Sequence, residues 1–429
     1  MIRGTTARND SALAVQIGVR TPQAKAFGKL ARFSAVDLGK HVISQAMQRA
    51  DLQPEDIDEV IFGNVAGPPD AANIARVMAL KAGIPHDRIA HSVHRNCASG
   101  MESLIGAWQA LREGRAERIL AGGTESMSNI PLLYKPSYAR KIMALARAKS
   151  LMSKASALLQ FRRRDFKPTI GVELGLTDPT CGLNMGQTAE ILAKEFAISR
   201  DDQDRFAMKS HQRAVAASDR CFMSGEIAPL ASGDEELKLD VGPRESQSMQ
   251  QLGKLRPIFK KDGSVTAGNS CPLTDGATCL VLADAKHADS PLGFVTAYAI
   301  AGCDPRRMGL GPVFATSKLL KDTGLALSDF DLFEINEAFA AQVLACLAAF
   351  ESDKFAQDHL GRSKAIGVID REKLNIHGGG IALGHPVGAS GARIVLTLLR
   401  ALREKNLKRG LATLCVGGGQ GVAMVVESP

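Results

Sequence analysis

Residues 98–121 have the sequence ASGMESLIGAWQALREGRAERILA, and residues 389–412 have the sequence ASGARIVLTLLRALREKNLKRGLA. The two stretches align without a gap at a constant offset of 291 residues, and ten of their 24 positions are identical. Each copy begins with small residues, continues as a long apolar helix, turns, and ends in a strand. A repeat of this length predicts that the chain contains two similar halves.

The segments around the repeat alternate between strand and helix patterns. Short apolar runs such as ALAVQIG, EVIFGN and ERILAGG are typical of buried strands, whereas AVDLGKHVISQAMQRA, NIARVMALKAG and GQTAEILAKEFA have the apolar spacing of helices. Alternating β and α units predict a mainly parallel sheet with helices on its faces. Two such halves related by a duplication would place a site between them.

The composition excludes several classes of protein. With 45% hydrophobic and 23% charged residues, the 429-residue chain is neither disordered nor collagen-like. Its eight cysteines form no CxxC pair and are too sparse for a disulfide scaffold, which favours a reducing compartment. No apolar stretch is long enough to predict a membrane-spanning helix. Because the start, MIRGTTARND, lacks a secretory pattern and the end, VVESP, lacks a peroxisomal one, we expect a cytoplasmic protein.

Positive charge is concentrated in residues 134–168. This segment contains ten of the 53 basic residues and a single acid, Asp165, while the whole chain has a formal charge of +8. Apolar residues recur within it at steps of three and four, which predicts one face of a helix; they are Ile142, Leu145, Ala148, Met152, Ala155 and Leu159. The helix would lie solvated on the core, or contact an anionic membrane, a partner subunit or the phosphates of a ligand. No nucleic-acid motif accompanies it, so we expect no nucleic-acid partner.

The basic segment is part of a longer interruption of the strand and helix alternation. We predict that residues 129–246 form an inserted loop domain. The N-terminal half would then comprise residues 1–128 and 247–288, and the C-terminal half residues 289–429.

Cys97 lies in HRNCASGMESLIGA, immediately before the small residues that begin the first repeated helix. Backbone N–H groups and the positive end of the helix dipole stabilise a thiolate at such a place, so the pattern predicts a lowered pKa and a nucleophile. A cysteine that only packs at a helix start is the alternative.

Glycines surround His385 in HGGGIALGHPVGASGA, residues 377–392, and let the backbone approach a ligand closely. The pattern is neither a Walker loop nor a dinucleotide fingerprint. His377 and His385 have no carboxylate or cysteine at a suitable spacing, so we expect no metal site.

Cys415 and Asn336 lie in two further turns. Cys415 ends a strand in LCVGGGQG, where parallel sheets carry functional residues. Asn336 precedes an apolar helix in NEAFAAQ, where an N-cap is the alternative role. Two cysteines, a histidine and an asparagine in glycine-rich turns predict nucleophilic acyl chemistry with a histidine base.

These motifs resemble the thiolase family over nearly the whole chain. They occur in the family's order and spacing: NCASG at 96–100, MGQTAE at 185–190, TAGNSCPLTDGA at 266–277, NEAFA at 336–340, GHPVGASGAR at 384–393 and CVGGGQG at 415–421. The resemblance implies the α/β thiolase fold, in which two duplicated βαβαβαββ halves form five αβαβα layers and an inserted loop domain covers the site.

The resemblance also implies a role for each motif residue. Cys97 would be the nucleophile that becomes acylated, and His385 the base that activates it. Cys415 would be the second acid/base, which handles the substrate α-proton and the thiol of the incoming coenzyme A. Asn336 would hold a water that forms one oxyanion hole with the ring of His385. The backbone N–H groups of Cys97 and Gly417 would form the second.

Binding positions follow from the same resemblance. Met185 and Phe259 match positions that line the pantetheine channel, and Ser270 and Cys271 lie in the loop that packs along it. The short-chain biosynthetic thiolases have histidine where this chain has Asn184 and serine where it has Cys271, which argues against an acetoacetyl-CoA synthase. The basic insertion and the region from LRP to PLTDGA resemble most the fatty-acid thiolases that pair with a hydratase/dehydrogenase subunit in trifunctional complexes, although those thiolases usually have HEAFA where this chain has NEAFA.

The implied activity is cleavage of a 3-oxoacyl-CoA by coenzyme A in fatty acid β-oxidation, and the reverse condensation, through an acyl-cysteine. The alternative is an acetyl-CoA C-acetyltransferase acting on acetoacetyl-CoA. Coenzyme A would be a substrate, and no cofactor is expected. The expected partners are further copies of the chain in a homodimer or homotetramer. A hydratase/dehydrogenase subunit or a membrane surface would contact residues 134–168.

Overall fold

The computed structural model describes residues 12–288 and 290–429. The start that was predicted to lack a secretory signal, residues 1–11, and the predicted domain boundary at Asp289 lie outside the described residues. In the described ranges, no helix is long and apolar enough to cross a membrane.

The described chain alternates between helices and strands. The strands are β1 (Leu13–Arg20), β2 (Ala24–Lys25), β3 (Glu59–Gly63), β4 (Ile89–Val93), β5 (Arg118–Ser126), β6 (Leu132–Leu133), β7 (Thr169–Ile170), β8 (Leu230–Ser232), β9 (Glu235–Leu237), β10 (Thr274–Asp284), β11 (Gly293–Gly302), β12 (Leu332–Ile335), β13 (Arg409–Val416) and β14 (Gln420–Glu427). The helices are α1 (Ala35–Arg49), α2 (Ile74–Lys81), α3 (Ser99–Arg112), α4 (Pro136–Arg147), α5 (Leu151–Leu159), α6 (Gly171–Gly175), α7 (Met185–Glu195), α8 (Arg200–Asp219), α9 (Met249–Gly253), α10 (Gly311–Thr323), α11 (Ala340–Glu351), α12 (Asp353–Phe355), α13 (Gly380–Leu383) and α14 (Ser390–Glu404).

Within the described residues, ten strands form one continuous sheet in the order β12-β13-β14-β11-β1-β10-β5-β3-β4, with β2 paired to β10. Its two parts have the same internal order, because β1, β10, β5 and β3 correspond to β11, β14, β13 and β12. The parts meet where β1 pairs with β11 over a short antiparallel ladder, Leu13↔Val295 to Val15↔Gly293.

The prediction of a mainly parallel sheet is wrong. Only β3 pairs in parallel with β4 and β5, and β12 with β13; the other named pairs of this sheet are antiparallel. The reason is that the last strand of each half turns back beside its predecessor. In the second half, the glycines after Val416 make this turn, and Gly418 and Gly419 both have positive φ.

The halves stack helices and strands in five layers. Along β14, Val422, Met424 and Val426 face a core shared with α3 and α14, whereas Ala423 and Val425 face α10 and α11. The strand β10 alternates in the same way between that shared core and a second core with α1 and α2. The order is therefore α1/α2, one half-sheet, α3/α14, the other half-sheet and α10/α11, which confirms the predicted thiolase fold class.

The two repeated helices, α3 and α14, cross in the central layer at a pair of glycines. A Cβ atom on Gly100 would lie 2.6 Å from the backbone nitrogen of Ala392, and one on Gly391 would lie 2.6 Å from that of Met101. Only glycine permits this approach of the two backbones. The crossing places the N-terminal ends of both helices side by side.

The predicted single basic helix is wrong, since the segment forms two helices. Ala148 has an extended conformation after α4, and Ser150 caps α5 by accepting from the N–H of Ser153. The apolar face does not lie on the core, because the side chains of Met152 and Leu159 are 83% and 86% exposed. The division into two halves with an inserted loop domain over residues 129–246 stays a prediction.

Candidate active site

A cavity of about 570 Å³ opens where the N-terminal ends of α3 and α14 meet the turn after β13. Six of the nine predicted site residues line it: Cys97, His385, Cys415, Gly417, Met185 and Cys271. The fold thus brings together residues that are more than 300 positions apart in the chain.

Cys97 lies in a loop that is fastened to the turn after β13. Asn96 has a left-handed φ of 44° and donates from Nδ2 to the carbonyl of Gly417 at 2.7 Å. Arg95 donates to Gln420 at 2.9 Å. These two bonds join the first half of the chain to the second directly beside the thiol.

Burial raises the pKa of the Cys97 thiol, so the prediction of a lowered pKa is wrong. The N–H groups of Gly417 and of Cys97 itself stabilise a thiolate, but they offset the loss of solvation only in part. The resting thiol is therefore protonated.

His385 is buried just before α14. Its backbone N–H donates to Thr274 at 3.1 Å, and its Nδ1 lies 2.6 Å from the hydroxyl of Ser390. Its Nε2 has no hydrogen-bond partner among the described residues. Burial, assisted by the positive charge of Arg393, lowers the pKa of His385 to about 4. The ring is a neutral imidazole at physiological pH, as a general base requires.

Cys415 is buried near the end of β13, and burial raises its pKa well above the ordinary value. The thiols of Cys97 and Cys271 reinforce this rise, because neighbouring negative charges would oppose a thiolate. The pKa of Cys271 rises to about 12 for the same reasons, of which burial is the largest. The cavity thus contains three protonated thiols and one neutral imidazole.

Asn336 lies behind the cavity wall. Its backbone N–H donates to the carbonyl of Thr413 at 3.0 Å, and both polar atoms of its buried amide have no partner among the described residues. The alternative of a helix N-cap is wrong, because α11 begins at Ala340 with Phe339 as its N-cap. A buried amide without partners is suited to binding a water or a ligand.

Family models match this chain along its described length. The model for the thiolase N-terminal domain matches residues 13–286, and that for the thiolase C-terminal domain matches residues 289–428. The chain belongs to the thiolase family.

Several known thiolases are similar to it. The 3-ketoacyl-CoA thiolase of Yersinia enterocolitica is 39% identical over 98% of both chains. That of Photorhabdus laumondii is 40% identical over 97% of this chain and 96% of its own. Human mitochondrial 3-ketoacyl-CoA thiolase, solved in complex with CoA, superposes with a TM-score of 0.84 at 35% identity, over 100% of this chain and 99% of that one. Bacillus anthracis acetyl-CoA acetyltransferase superposes with a TM-score of 0.84 at 34% identity, over 99% of this chain and 100% of that one.

Two predicted binding residues of this thiolase do not line the cavity. Phe259 packs behind Met185, with its ring edge-on to Phe339 at a centroid distance of 5.9 Å. The hydroxyl of Ser270 donates to the carbonyl of Thr266 at 2.7 Å. Both support the wall from behind.

His377 is separate from the site, since its ring stacks on Phe222. Within the described ranges, no three histidine, cysteine, aspartate or glutamate side chains form a metal-holding group.

Glu125 lines the cavity and was missed by the sequence reasoning. Its carboxylate accepts from the backbone N–H groups of Val65, Ala66 and Gly388, and from the side chain of Asn64. Burial nevertheless raises the pKa of Glu125 to about 7. An acid at the end of a strand as apolar as ERILAGG is the signal that could have found it.

An apolar wall from residues 130–176 completes the cavity of this thiolase. It is formed by residues from two stretches of the middle region, namely Ile130, Pro131, Leu133, Val172, Leu174 and Leu176. The strands β6 and β7 hold the two stretches together. The polar reacting groups thus lie at one end of the cavity and this apolar wall at the other.

Proposed function

We propose that this thiolase cleaves a 3-ketoacyl-CoA with coenzyme A, giving acetyl-CoA and a shortened acyl-CoA, and runs the reverse condensation through an acyl group on Cys97. The observation that carries the proposal is one cavity lined by a thiol, a neutral imidazole and a second thiol. Two relatives named 3-ketoacyl-CoA thiolase, similar over nearly the whole chain, support it. Coenzyme A acts as a substrate in this scheme, and no other cofactor takes part.

In the first half-reaction, Nε2 of His385 takes the proton of the Cys97 thiol as the sulfur attacks the 3-keto carbon. The bond between C2 and C3 then breaks, which leaves an acyl group on Cys97 and the enolate of acetyl-CoA. The thiol of Cys415 gives its proton to C2. Both oxyanions need donors already in place. The N–H groups of Cys97 and Gly417 serve one, and the protonated ring of His385 serves the other with a water held by Asn336.

In the second half-reaction, the Cys415 thiolate takes the proton of the incoming coenzyme A thiol. The resulting sulfur anion attacks the acyl carbon on Cys97 and releases the shortened acyl-CoA. The Cys97 sulfur regains its proton from His385, so both acid/base groups return to their resting state.

Intact-protein mass spectrometry tests the nucleophile. Incubation with a 3-ketoacyl-CoA in the absence of free coenzyme A is expected to add one acyl group, and peptide mapping is expected to place it on Cys97. The Cys97→Ser variant should remain unmodified and lose thiolysis. An adduct on Cys415 alone would contradict the assigned roles.

The apolar wall supports a preference for substrates whose acyl chains are longer than that of acetoacetyl-CoA. A thiolysis assay with 3-ketoacyl-CoAs of about four to sixteen carbons is therefore expected to favour the longer substrates. A Cβ atom on Gly175, in the cavity lining, would meet no atom within 4 Å, so Gly175→Leu should slow long substrates while sparing acetoacetyl-CoA. Gly253→Leu, in an equally open position of α9, is the control. If acetoacetyl-CoA were by far the best substrate in this assay, the protein would instead be an acetyl-CoA C-acetyltransferase.

We further propose that residues 134–168 contact an anionic membrane or a hydratase/dehydrogenase partner that supplies the substrate. The exposed apolar faces of α4 and α5, together with the excess of basic side chains, support this proposal. Near a charged surface each Lys or Arg contributes about 1 kcal/mol at low salt.

Replacing Arg162, Arg163 and Arg164 by glutamine should weaken binding to anionic vesicles or to the partner and leave turnover of soluble substrates nearly unchanged. The control removes the same charge elsewhere, from the exposed residues Lys81, Arg112 and Lys321. Equal loss of binding in both triple variants would contradict a specific surface. A tenfold rise in the KM for coenzyme A without loss of association would make the segment a phosphate-binding wall.

We also propose a homodimer or homotetramer in the cytoplasm. The edge strand β4 supports self-association, because its side chains are exposed or half-buried while those of the neighbouring β3 are buried. Light scattering on the purified protein measures the assembly. A charged substitution at Ile89, which is 53% exposed on β4, is expected to shift it toward the monomer.

A further inference from the structure

Two serines occupy equivalent places in the repeat, Ser99 as the first residue of α3 and Ser390 as the first residue of α14. In the first copy, the hydroxyl of Ser99 accepts from the backbone N–H of Arg95 at 2.9 Å and donates to the carbonyl of Asn96 at 2.8 Å. Both hydrogen bonds of this hydroxyl are made to the backbone of the loop that carries Cys97.

The second copy uses the same hydroxyl differently. Ser390 donates to the carbonyl of Pro386 at 3.0 Å, and its oxygen lies 2.6 Å from Nδ1 of His385. A hydroxyl has one proton to donate. The carbonyl of Pro386 and Nδ1 of His385 compete for that proton, and when it is directed to the carbonyl, the proton of the short contact with the ring is on Nδ1. In a neutral imidazole, Nε2 then carries the lone pair.

The reason for the difference is the residue four positions before each serine. Arg95 in the first copy has a backbone N–H, which occupies an acceptor site of Ser99. The equivalent residue in the second copy is Pro386, which has no N–H. The corresponding acceptor site of Ser390 is thereby left for the imidazole of His385.

We propose that Ser390 is a positioning residue that holds His385 as the Nδ1–H tautomer, and that Pro386 leaves the serine hydroxyl free for this contact. The inference rests on the proposed role of His385 as the base. It explains how Nε2, which is buried and has no partner among the described residues, is available to take the proton of Cys97.

The tautomer is measurable independently of activity. Long-range proton–nitrogen spectra of protein labelled with ¹⁵N-histidine, assigned with His385→Gln, are expected to show a protonated Nδ1 on His385. Ser390→Ala should shift the ring toward the Nε2–H form and slow acylation of Cys97 by about tenfold to a hundredfold, with little change in KM. Pro386→Ala restores an N–H that competes for the hydroxyl and should shift the tautomer in the same direction.

Ser103→Ala is the matched control. This buried serine lies one turn along α3, and its hydroxyl donates to the carbonyl of Gly100 in its own helix. It should change neither the tautomer nor the acylation rate. An Nε2–H ring in the wild type would overturn the inference, as would an unchanged Nδ1–H ring in both Ser390→Ala and Pro386→Ala. If the tautomer shifts and acylation keeps its rate, the positioning by Ser390 is supported, and the role of His385 as the base is contradicted.

Discussion

The loops before the two repeated helices have the sequences HRNCASG, residues 94–100, and HPVGASG, residues 385–391. They begin with the same residue and end with the same three, yet they present different groups to the cavity. The first loop presents Cys97 and leaves His94 exposed, whereas the second buries His385 and has Gly388 in the place of the cysteine. Two loops of similar sequence at the start of equivalent helices therefore carry either a thiol or an imidazole.

The neighbours of each loop decide which group it carries. A Cβ atom on Gly388 would lie 2.9 Å from the carbonyl oxygen of Thr124 and 3.0 Å from the carboxylate of Glu125, so a side chain there would have no room. Cys97 faces the open cavity instead. The difference teaches that the duplicated helices supply positions at their starts, while the packing around each position selects the chemistry.

The largest effect is expected at Cys415, which lies in neither of the two loops. Cys415→Ser should reduce condensation by at least about a thousandfold, since no group then removes the α-proton. Acylation of Cys97 by an acyl-CoA should continue, because that transfer mainly uses His385. Mass spectrometry and a condensation assay on the same variant measure the two steps. Near-normal condensation would remove Cys415 from the mechanism.

The two histidines that begin the loops provide a direct test of the comparison. His385→Ala should lower the rate of acylation by about a hundredfold or more, as expected for loss of a general base. His94→Ala should change it by less than about twofold, because the exposed ring lies outside the cavity lining. Single-turnover acylation of Cys97 measures both. Similar losses in the two variants would mean that the loops are not divided in function.

The glycine crossing keeps the two loops together, and its disruption should cost stability. Gly100→Ala and Gly391→Ala should each lower the free energy of unfolding by about 1–3 kcal/mol, because the added methyl group meets backbone rather than a movable side chain. In Gly106→Ala, also in α3, the new methyl group lies 3.7 Å from the Ile61 side chain and should stabilise by about 0.5–1 kcal/mol. Chemical denaturation measures all three. Unchanged stability in both crossing variants would show that the helices can separate freely.

The smallest expected effect is on pH dependence. The pKa of Cys97 is raised by burial and that of His385 is lowered to about 4, so both groups are neutral between about pH 5 and 8. Because burial raises the pKa of Cys97 above its ordinary value of 9.0, the Cys97 thiolate forms mainly above pH 9. Alkylation of Cys97 by iodoacetamide should therefore keep rising through pH 9 without an earlier plateau. A plateau near pH 7 would indicate a thiolate–imidazolium pair at rest.

Much of the architecture could be predicted because local patterns carry it. The strands β1, β3 and β5 and the helices α1, α2 and α7 formed where apolar runs and periodicity placed them. The antiparallel pairing of β10 could not be read in this way, since the strand enters the sheet about 150 residues after its neighbour β5. The break between α4 and α5 also escaped, because the apolar spacing continues across Ser150 although its side chain caps a new helix.

In the candidate site too, features carried by local motifs were predicted, and features that depend on distant contacts were not. Cys97, His385 and Cys415 were recognised because each lies in a dense motif. The raised pKa of Cys97 was not, because it depends on burial in the folded chain, which outweighs the N–H groups near the thiol. The contact of Ser390 with His385 was missed as well, although the repeat alignment had already paired this residue with Ser99.

The contacts between the halves are reciprocal. Gly100 approaches Ala392 as Gly391 approaches Met101, and the short ladder of β1 with β11 runs antiparallel in the same way. Such contacts are those of a local twofold axis, which also relates identical subunits in a symmetric dimer. A dimer of identical halves has to show the same residue in both loops. One chain that contains both copies is released from that symmetry, and it can hold a nucleophile on one side of the axis and its base on the other.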